Sequence, residues 1–484
     1  MAVSELLIDS ILTEQFGLSQ FRPKQKEVID LVLQGTHALA LLPTGYGKSL
    51  CYQVPSQVLP GTTLVVSPLI ALMQDQVNGL LRRGIKNATF LNSSVPPGEQ
   101  DIRFGGIRNG DFKLVYVAPE RFESPRFRSL LASIKVSLLV IDEAHCISQW
   151  GHDFRPQYRN LTNHVALLKD ATVLALTATA TPAVQRDIVQ LLNLPGLKVV
   201  AGSFDRPNIR FAVESVQGAA EKDATVDALL SESKGPAIVY TATRKDAEAT
   251  AGRLARAGTA AACYHAGLSL DARHRTQRDF ETDKISVIVS TVAFGMGVDK
   301  GNISTVIHYN LPGSLENYYQ EAGRAGRNGQ PATCTLVYQA KDIYTQRWLM
   351  ERNYPTPAQV HAVQRLIHGY GGTPVRIADL STQLDIADAA LNSAVDLLKH
   401  LKIIGTTADG ALELLDEAGG PDRPIDLSSL HQRKQRDDLR LQRIIDYART
   451  ARCRRRQILD YFGQRLESCS GCDVCHPAAR VRPI

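Results

Sequence analysis

Short, largely apolar runs set the rhythm of the first two hundred residues: Ala38 to Leu42, Thr63 to Val66, Lys113 to Val117, Leu138 to Ile141 and Thr172 to Leu176. Runs of this length without polar alternation predict strands covered on both faces, hence a parallel sheet. The helical stretches between them supply right-handed crossovers. A polar segment around Ser215 to Lys234 interrupts the pattern. The alternation restarts with Ala237 to Tyr240, Val287 to Ser290, Thr305 to His308 and Thr335 to Tyr338. A second α/β layer structure follows from it, and the fold class is α/β.

The character changes after Lys341. Tyr354-Pro355-Thr356-Pro357 is a breaker, and Ala358 to Gly369, Ile377 to Leu384 and Ala387 to Ile404 read as helices. Gly405 to Leu415 reads as a short hairpin turning at Asp409-Gly410. Helix, turn, helix and wing outline a winged-helix-like segment, although three helices in a row also suit a plain spacer. Glu417 to Asp426, with Gly419-Gly420-Pro421 and Pro424, reads as a linker, and the cysteine-bearing tail as a separate helical unit. The expected domains are 1–208, 209–345, 355–416 and 427–484.

A length of 484 residues with 44% hydrophobic positions suits several well-formed cores. The net charge of +6 is mild but uneven. Between His431 and Arg456 ten Lys and Arg face three acids, which points to a polyanionic partner or to a solvated basic helix face. No apolar run is long enough to span a bilayer. Met1 to Gln20, with acids at 5, 9 and 14, reads as an amphipathic helix and not as a secretory signal. Cys51, Cys146, Cys263 and Cys334 are scattered as buried free thiols are, so a cytoplasmic location without membrane attachment is expected.

Chemistry concentrates at two strand ends. Leu42-Pro43-Thr44-Gly45-Tyr46-Gly47-Lys48-Ser49 follows the first apolar run and has the glycine turn and Gly-Lys-Ser ending that wrap a triphosphate. Lys48 is suited to the β- and γ-phosphates and the Ser49 hydroxyl to Mg²⁺. Leucine at 42 stands where the full pattern wants glycine. Asp142-Glu143-Ala144-His145 follows the run ending at Ile141, where one carboxylate can hold the metal and its neighbour polarise the attacking water. Together they predict nucleoside triphosphate hydrolysis. The second α/β region lacks a phosphate loop, so the nucleotide is expected in the cleft between the two. Gln320 to Gly329 offers Arg327, with Arg324 three residues before it, as a cation for the charge that builds on the transferred phosphoryl group. Phe21-Arg22-Pro23-Lys24-Gln25 lies upstream, and the Gln25 amide has the donor and acceptor to read adenine.

The loop from His145 to Tyr158 carries three aromatic residues other than histidine, and Arg155, directly after the acids. A stacking platform for nucleotide bases is one reading, with Trp150, His152, Phe154 and Arg155 as its contacts; core packing of Trp150 is the other. At the far end Cys453, Cys469, Cys472 and Cys475 fit a closed, structural Zn²⁺ site. A disulfide pair or an iron–sulfur cluster would use the same residues, and His476 is a substitute ligand or a bystander.

In this order the elements resemble the RecQ family of superfamily 2 DNA helicases over nearly the whole chain. Phe21 to Gln25 looks like the family's adenine-reading element, and Pro43 to Gln53 resembles its phosphate loop, which does without the first glycine. Ser67 to Leu72, Tyr116 to Arg121, Thr177-Ala178-Thr179, Val292 to Lys300 and Ser314 to Gly329 are similar to its remaining motor motifs. Trp150 to Pro156 matches its aromatic-rich loop, and residues 455–463 its zinc domain. The resemblance implies two RecA-like domains, ATP with Mg²⁺, and 3′→5′ travel on one DNA strand with duplex unwinding in repair and recombination; a nucleic-acid-stimulated ATPase or translocase, or an RNA helicase, without strong duplex unwinding is the alternative reading. It implies DNA as partner, single-stranded or duplex with a single-stranded tail, a single-stranded-DNA-binding protein beside it, and a monomer. Three departures stand out: a winged-helix-like segment before the cysteines, Thr241-Ala242 in place of Cys-Asn, and Gly301 in place of proline. No segment is assigned as the strand-separating wedge.

Overall fold

The computed structural model describes residues 5–165, 168, 170–295, 300–407, 410–415 and 419–477. Within them, seven parallel strands form one sheet in the order β3-β4-β2-β5-β6-β1-β7. They are β1 Ala38–Leu41, β2 Thr62–Val66, β3 Ala88–Leu91, β4 Leu114–Val117, β5 Val136–Ile141, β6 Thr172–Thr177 and β7 Lys198–Ala201. A second parallel sheet runs β10-β11-β9-β12-β13-β8. Its strands are β8 Ile209–Ser215, β9 Ala237–Tyr240, β10 Ala261–Tyr264, β11 Val287–Ser290, β12 Thr305–His308 and β13 Ala332–Tyr338. The central strands are buried on both faces, which is why they read as apolar runs. β3, β7, β8 and β10 are edge or near-edge strands, and the apolar pattern does not announce them.

The polar stretch after Ser215 is not irregular: Ala219–Ser231 is a helix, of which only Lys222 and Val226 are buried. A helix with so thin an apolar stripe leaves little periodicity to read. Thr181, Thr243, Ser269 and Ser314 cap helices by accepting from the backbone N–H three residues on.

The chain divides into two compact units, one of residues 1–339 with 446–484 and one of residues 340–445. The first therefore holds both sheets and the cysteine segment. Expected as a separate unit, that segment packs onto the lobes. Phe462 stacks on Phe204 at 4.8 Å, Tyr461 donates to Glu316 at 2.6 Å, and Cys472 bridges to Phe211 of β8. Arg455 is fully buried, donating to the carbonyls of Arg206 and Ile209 at 3.1 Å each and pairing with Asp205.

In the second unit the order is helix Pro357–Gly369, a one-residue bridge of Val375 to Leu412, helices Ile377–Gln383 and Asp388–His400, then the antiparallel pair β14 Ile404–Thr406 and β15 Leu412–Leu414. That order is a winged-helix outline around its own apolar core. The pattern predicts helix up to Ile404, but it ends at His400; Lys402 turns the chain with φ 54° and Ile404 enters the hairpin. Asp409, expected at the hairpin turn, lies outside the described residues, as do residues 296–299 of the Val292 to Lys300 motif.

Candidate active site between two lobes

The order of the first sheet explains the site. β5, β6 and β1 are neighbours, so the acids after β5, the Thr177 end of β6 and the turn after β1 meet at one carboxyl edge, where parallel sheets bind ligands. In that turn Gly45 and Gly47 adopt φ of 79° and 81° and deliver the chain to the Leu50–Val58 helix, with Ser49 at its N-cap. Backbone N–H groups and the helix dipole there favour an anion.

A cavity of about 860 Å³ is bordered by Thr44, Gly45, Gly47, Lys48, Ser49, Asp142 and Glu143 of the first lobe and by Gln320, Arg324 and Arg327 of the second. The second lobe reaches the loop directly. A Cβ at position 45 would lie 3.0 Å from Cγ of Arg327, and one at Gly323 3.1 Å from Cβ of Thr44. Both arginines lie beyond the Leu315–Ala322 helix, in the turn that ends it. Arg324 is buried and donates to the Gly295 carbonyl.

Asp142 and Glu143 are buried. Burial, and then the charge of Glu143, raises the Asp142 carboxyl to about 7 against the pull of Lys48. Glu143 takes φ 49°, a left-handed conformation that costs a non-glycine residue about 1–3 kcal/mol and that clusters at functional sites. Its carboxylate lies 3.3 Å from Nδ1 of His145, which is 2.9 Å from the Thr177 hydroxyl.

Phe21, Arg22 and Gln25, expected to read adenine, are not among the residues that line the cavity, and two of them bond to the loop's backbone. The Gln25 amide donates to the carbonyls of Tyr46 at 2.8 Å and Gly47 at 3.0 Å, and accepts from the Arg22 N–H. Arg22 donates to the Gly45 carbonyl at 2.7 Å and lies over the Tyr46 ring, while Phe21 packs on the first-lobe core. In the aromatic loop His152 stacks on His145 at 4.2 Å and Trp150 is half exposed. Phe154 is partly buried. Tyr158 is not part of any platform: it is fully buried and donates to the Val66 carbonyl. Arg155 pairs with Asp153 at 2.9 Å and donates to Pro68 at 2.9 Å, so its guanidinium straps the loop down.

One residue was not singled out by the motifs. Arg206, between the lobes, donates through Nη1 to the carbonyls of Thr44 at 3.1 Å and Gly323 at 3.0 Å. Through Nη2 it donates to those of Ala325 at 2.8 Å and Gly326 at 3.1 Å. It joins the phosphate loop to the arginine turn. Its sequence context, Asp-Arg-Pro-Asn, offers only the turn propensity of Pro207 and Asn208 as a signal.

Cys453, Cys469, Cys472 and Cys475 bring four sulfurs within 4.8 Å of one another, a donor set that fits tetrahedral zinc. Burial would raise the Cys472 thiol, but backbone N–H groups of Cys475, Arg454 and Val474 bring it down to about 7. His476 is outside the set, its Nε2 2.9 Å from the Cys469 carbonyl. No helix among the described residues is long and apolar enough to cross a membrane.

Comparison with known proteins agrees with this geometry. Residues 22–188 match the DEAD/DEAH box helicase family, 221–329 the helicase conserved C-terminal domain, and 416–476 the RecQ zinc-binding family. The chain is 46% identical over 71% of its length to the ATP-dependent DNA helicase RecQ of Haemophilus influenzae, of which it spans 55%. It is 37% identical over 96% of its length to the probable ATP-dependent DNA helicase RecS of Bacillus subtilis, of which it spans 90%. Among solved structures, the helicase MrfA bound to DNA and AMPPNP shares the fold with a TM-score of 0.59 at 21% identity, covering 88% of this chain and 63% of that one. Two parallel-sheet lobes with a composite phosphate site, joined to a four-cysteine segment, are thus matched along nearly the whole sequence, and the chain belongs to the RecQ family of helicases.

Proposed function

We propose that this chain hydrolyses ATP in the cavity between its lobes and uses the cycle to travel 3′→5′ along one DNA strand, unwinding duplex ahead of it. One observation carries the reading: the Arg327 stem lies against Gly45 of the phosphate loop, and both border the cavity that Lys48 lines. Lys48 binds the β- and γ-phosphates, Glu143 takes the proton of the attacking water, and Arg327 meets the charge that develops on the γ-phosphoryl group. Ser49 and Asp142 would hold Mg²⁺, which supplies charge neutralisation between the phosphates. Arg324 holds its turn through Gly295.

Glu143, His145 and His152 form a contiguous chain from the acids to the aromatic loop. Occupancy of the cavity is transmitted along it to Trp150, His152 and Phe154, which contact single-stranded DNA. Closing and reopening of the lobes with nucleotide then shifts strand affinity. The four cysteines would hold Zn²⁺ in a structural role, fixing Phe462 and Arg455 against the lobes. Tailed duplex DNA is the substrate, a single-stranded-DNA-binding protein a partner, and a monomer in the cytoplasm the acting form.

Hydrolysis measured with DNA, with RNA and with neither tests this, together with unwinding of forked duplexes carrying either tail polarity. DNA-stimulated turnover with 3′-tail-dependent unwinding is expected. Hydrolysis indifferent to DNA, or preferring RNA, overturns the reading. Lys48→Ala abolishes turnover and leaves strand binding.

A further inference from the structure

Among the described residues, Trp150, Tyr344 and Trp348 are the only large aromatic side chains exposed to solvent. Trp150 belongs to the loop beside the acids. The other two lie on the Asp342–Glu351 helix of the second unit, exposed by 71% and 51%. Four residues apart, they share one helix face. Lys341 precedes Tyr344 on that face and Arg352 follows Trp348, its guanidinium 4.8 Å from the indole centroid. Lys341, Arg347 and Arg352 are exposed there, against the single exposed acid Glu351. A lone exposed ring needs no explanation, but two in register, framed by three cations, are costly to leave in water and fit a polyanion with flat faces.

Two other faces of this unit, the wing and the Asp388–His400 helix, do not offer such a surface. Gly405 to Leu415, the wing, contains no aromatic residue. The Asp388–His400 helix and its approach expose Asp385, Asp388 and Asn392, a face that repels phosphate.

We propose that the Lys341–Tyr344–Trp348–Arg352 face is a stacking platform for single-stranded DNA. Two successive bases lie on the two rings while Lys341, Arg347 and Arg352 meet the flanking phosphates. The assignment rests on the DNA reading above, and adds a second strand contact remote in sequence from the motor motifs. Stacking on a protein ring contributes about 1–3 kcal/mol per base and is indifferent to sequence.

Affinity of the full chain for an oligo-dT strand, without nucleotide, tests it. Tyr344→Ala and Trp348→Ala are each expected to weaken binding about 5- to 150-fold, the free-energy range just given. Trp348→Phe, which keeps a ring, restores most of the loss. The oligonucleotide quenches tryptophan emission of the unmodified protein more than that of Trp348→Phe. Both rings are exposed, so the fold is untouched and hydrolysis without DNA stays unchanged. Binding within twofold of the unmodified protein in both alanine variants, with no Trp348 quenching, overturns the platform alone. A change in sedimentation of the free variants without loss of DNA affinity does so too, by showing a contact between copies. Failure of the unmodified protein to bind DNA or to respond to it overturns the proposed function as well.

Discussion

Replacing Arg206 by alanine removes four hydrogen bonds from a half-buried guanidinium, one to the phosphate loop at Thr44 and three to the turn that carries Arg324 and Arg327. No atom of Arg206 needs to touch nucleotide for this to matter. A charge-assisted hydrogen bond contributes about 1.5 kcal/mol at the low end. Taking one such bond on each side of the junction gives about 3 kcal/mol, or about 150-fold in kcat/KM if it is all realised in placing Arg327. Steady-state hydrolysis with saturating DNA measures it, and circular dichroism melting separates it from unfolding. Because Arg206 is argued to act through Arg327, the two losses should not add. In an Arg327→Ala background the Arg206 effect should fall below about threefold. Arg206→Lys keeps the charge but loses the fork that reaches carbonyls on both lobes, and should recover less than a tenth of the activity. Additive losses in the double variant, or an Arg206→Ala enzyme within threefold of the parent, would refute the positioning role.

Gly45→Ala places a Cβ 3.0 Å from the Arg327 stem at a φ of 79°, a conformation costing about 1–2 kcal/mol in an L-residue, so a loss of kcat of about 5- to 30-fold is expected in a folded protein. In metal-free protein the Asp142 carboxyl is raised to about 7, above its unfolded value, so its contribution favours the fold at low pH and is lost as pH rises through about 7. Asp142→Asn should therefore melt higher than the parent at pH 8, with the gap closing by pH 4; an equal gap at both values contradicts the burial account. Cys472→Ser should lower bound zinc, measured by elemental analysis, and also lower the melting temperature of the lobes, because Phe462 and Arg455 lean on Phe204 and Arg206. A variant that loses zinc and melts like the parent would show that the segment does not brace the lobes.

What the sequence determined was the inventory of local chemistry. The Gly-Lys-Ser turn, the Asp-Glu pair and the cysteine spacing are short-range patterns, and each needs only a few neighbouring residues in a defined backbone to be readable. Central strands were equally legible, since burial on both faces demands an apolar run. Edge strand β7, exposed at three of its four residues, and the one-stripe helix Ala219–Ser231 carry too little apolar surface to stand out, while β8 alternates buried and half-buried positions instead of running apolar. Tertiary structure alone decided which partners meet. Nothing near Asp205-Arg206 in the chain says that its guanidinium spans to Thr44 and to Gly326, separated from it by 162 and 120 positions. Nor does composition show that Arg155 bonds to the Pro68 carbonyl, that Tyr158 is core, or that the cysteine segment closes onto β8. Such contacts depend on how the sheets pack, and packing is a property of the whole chain that no local window contains.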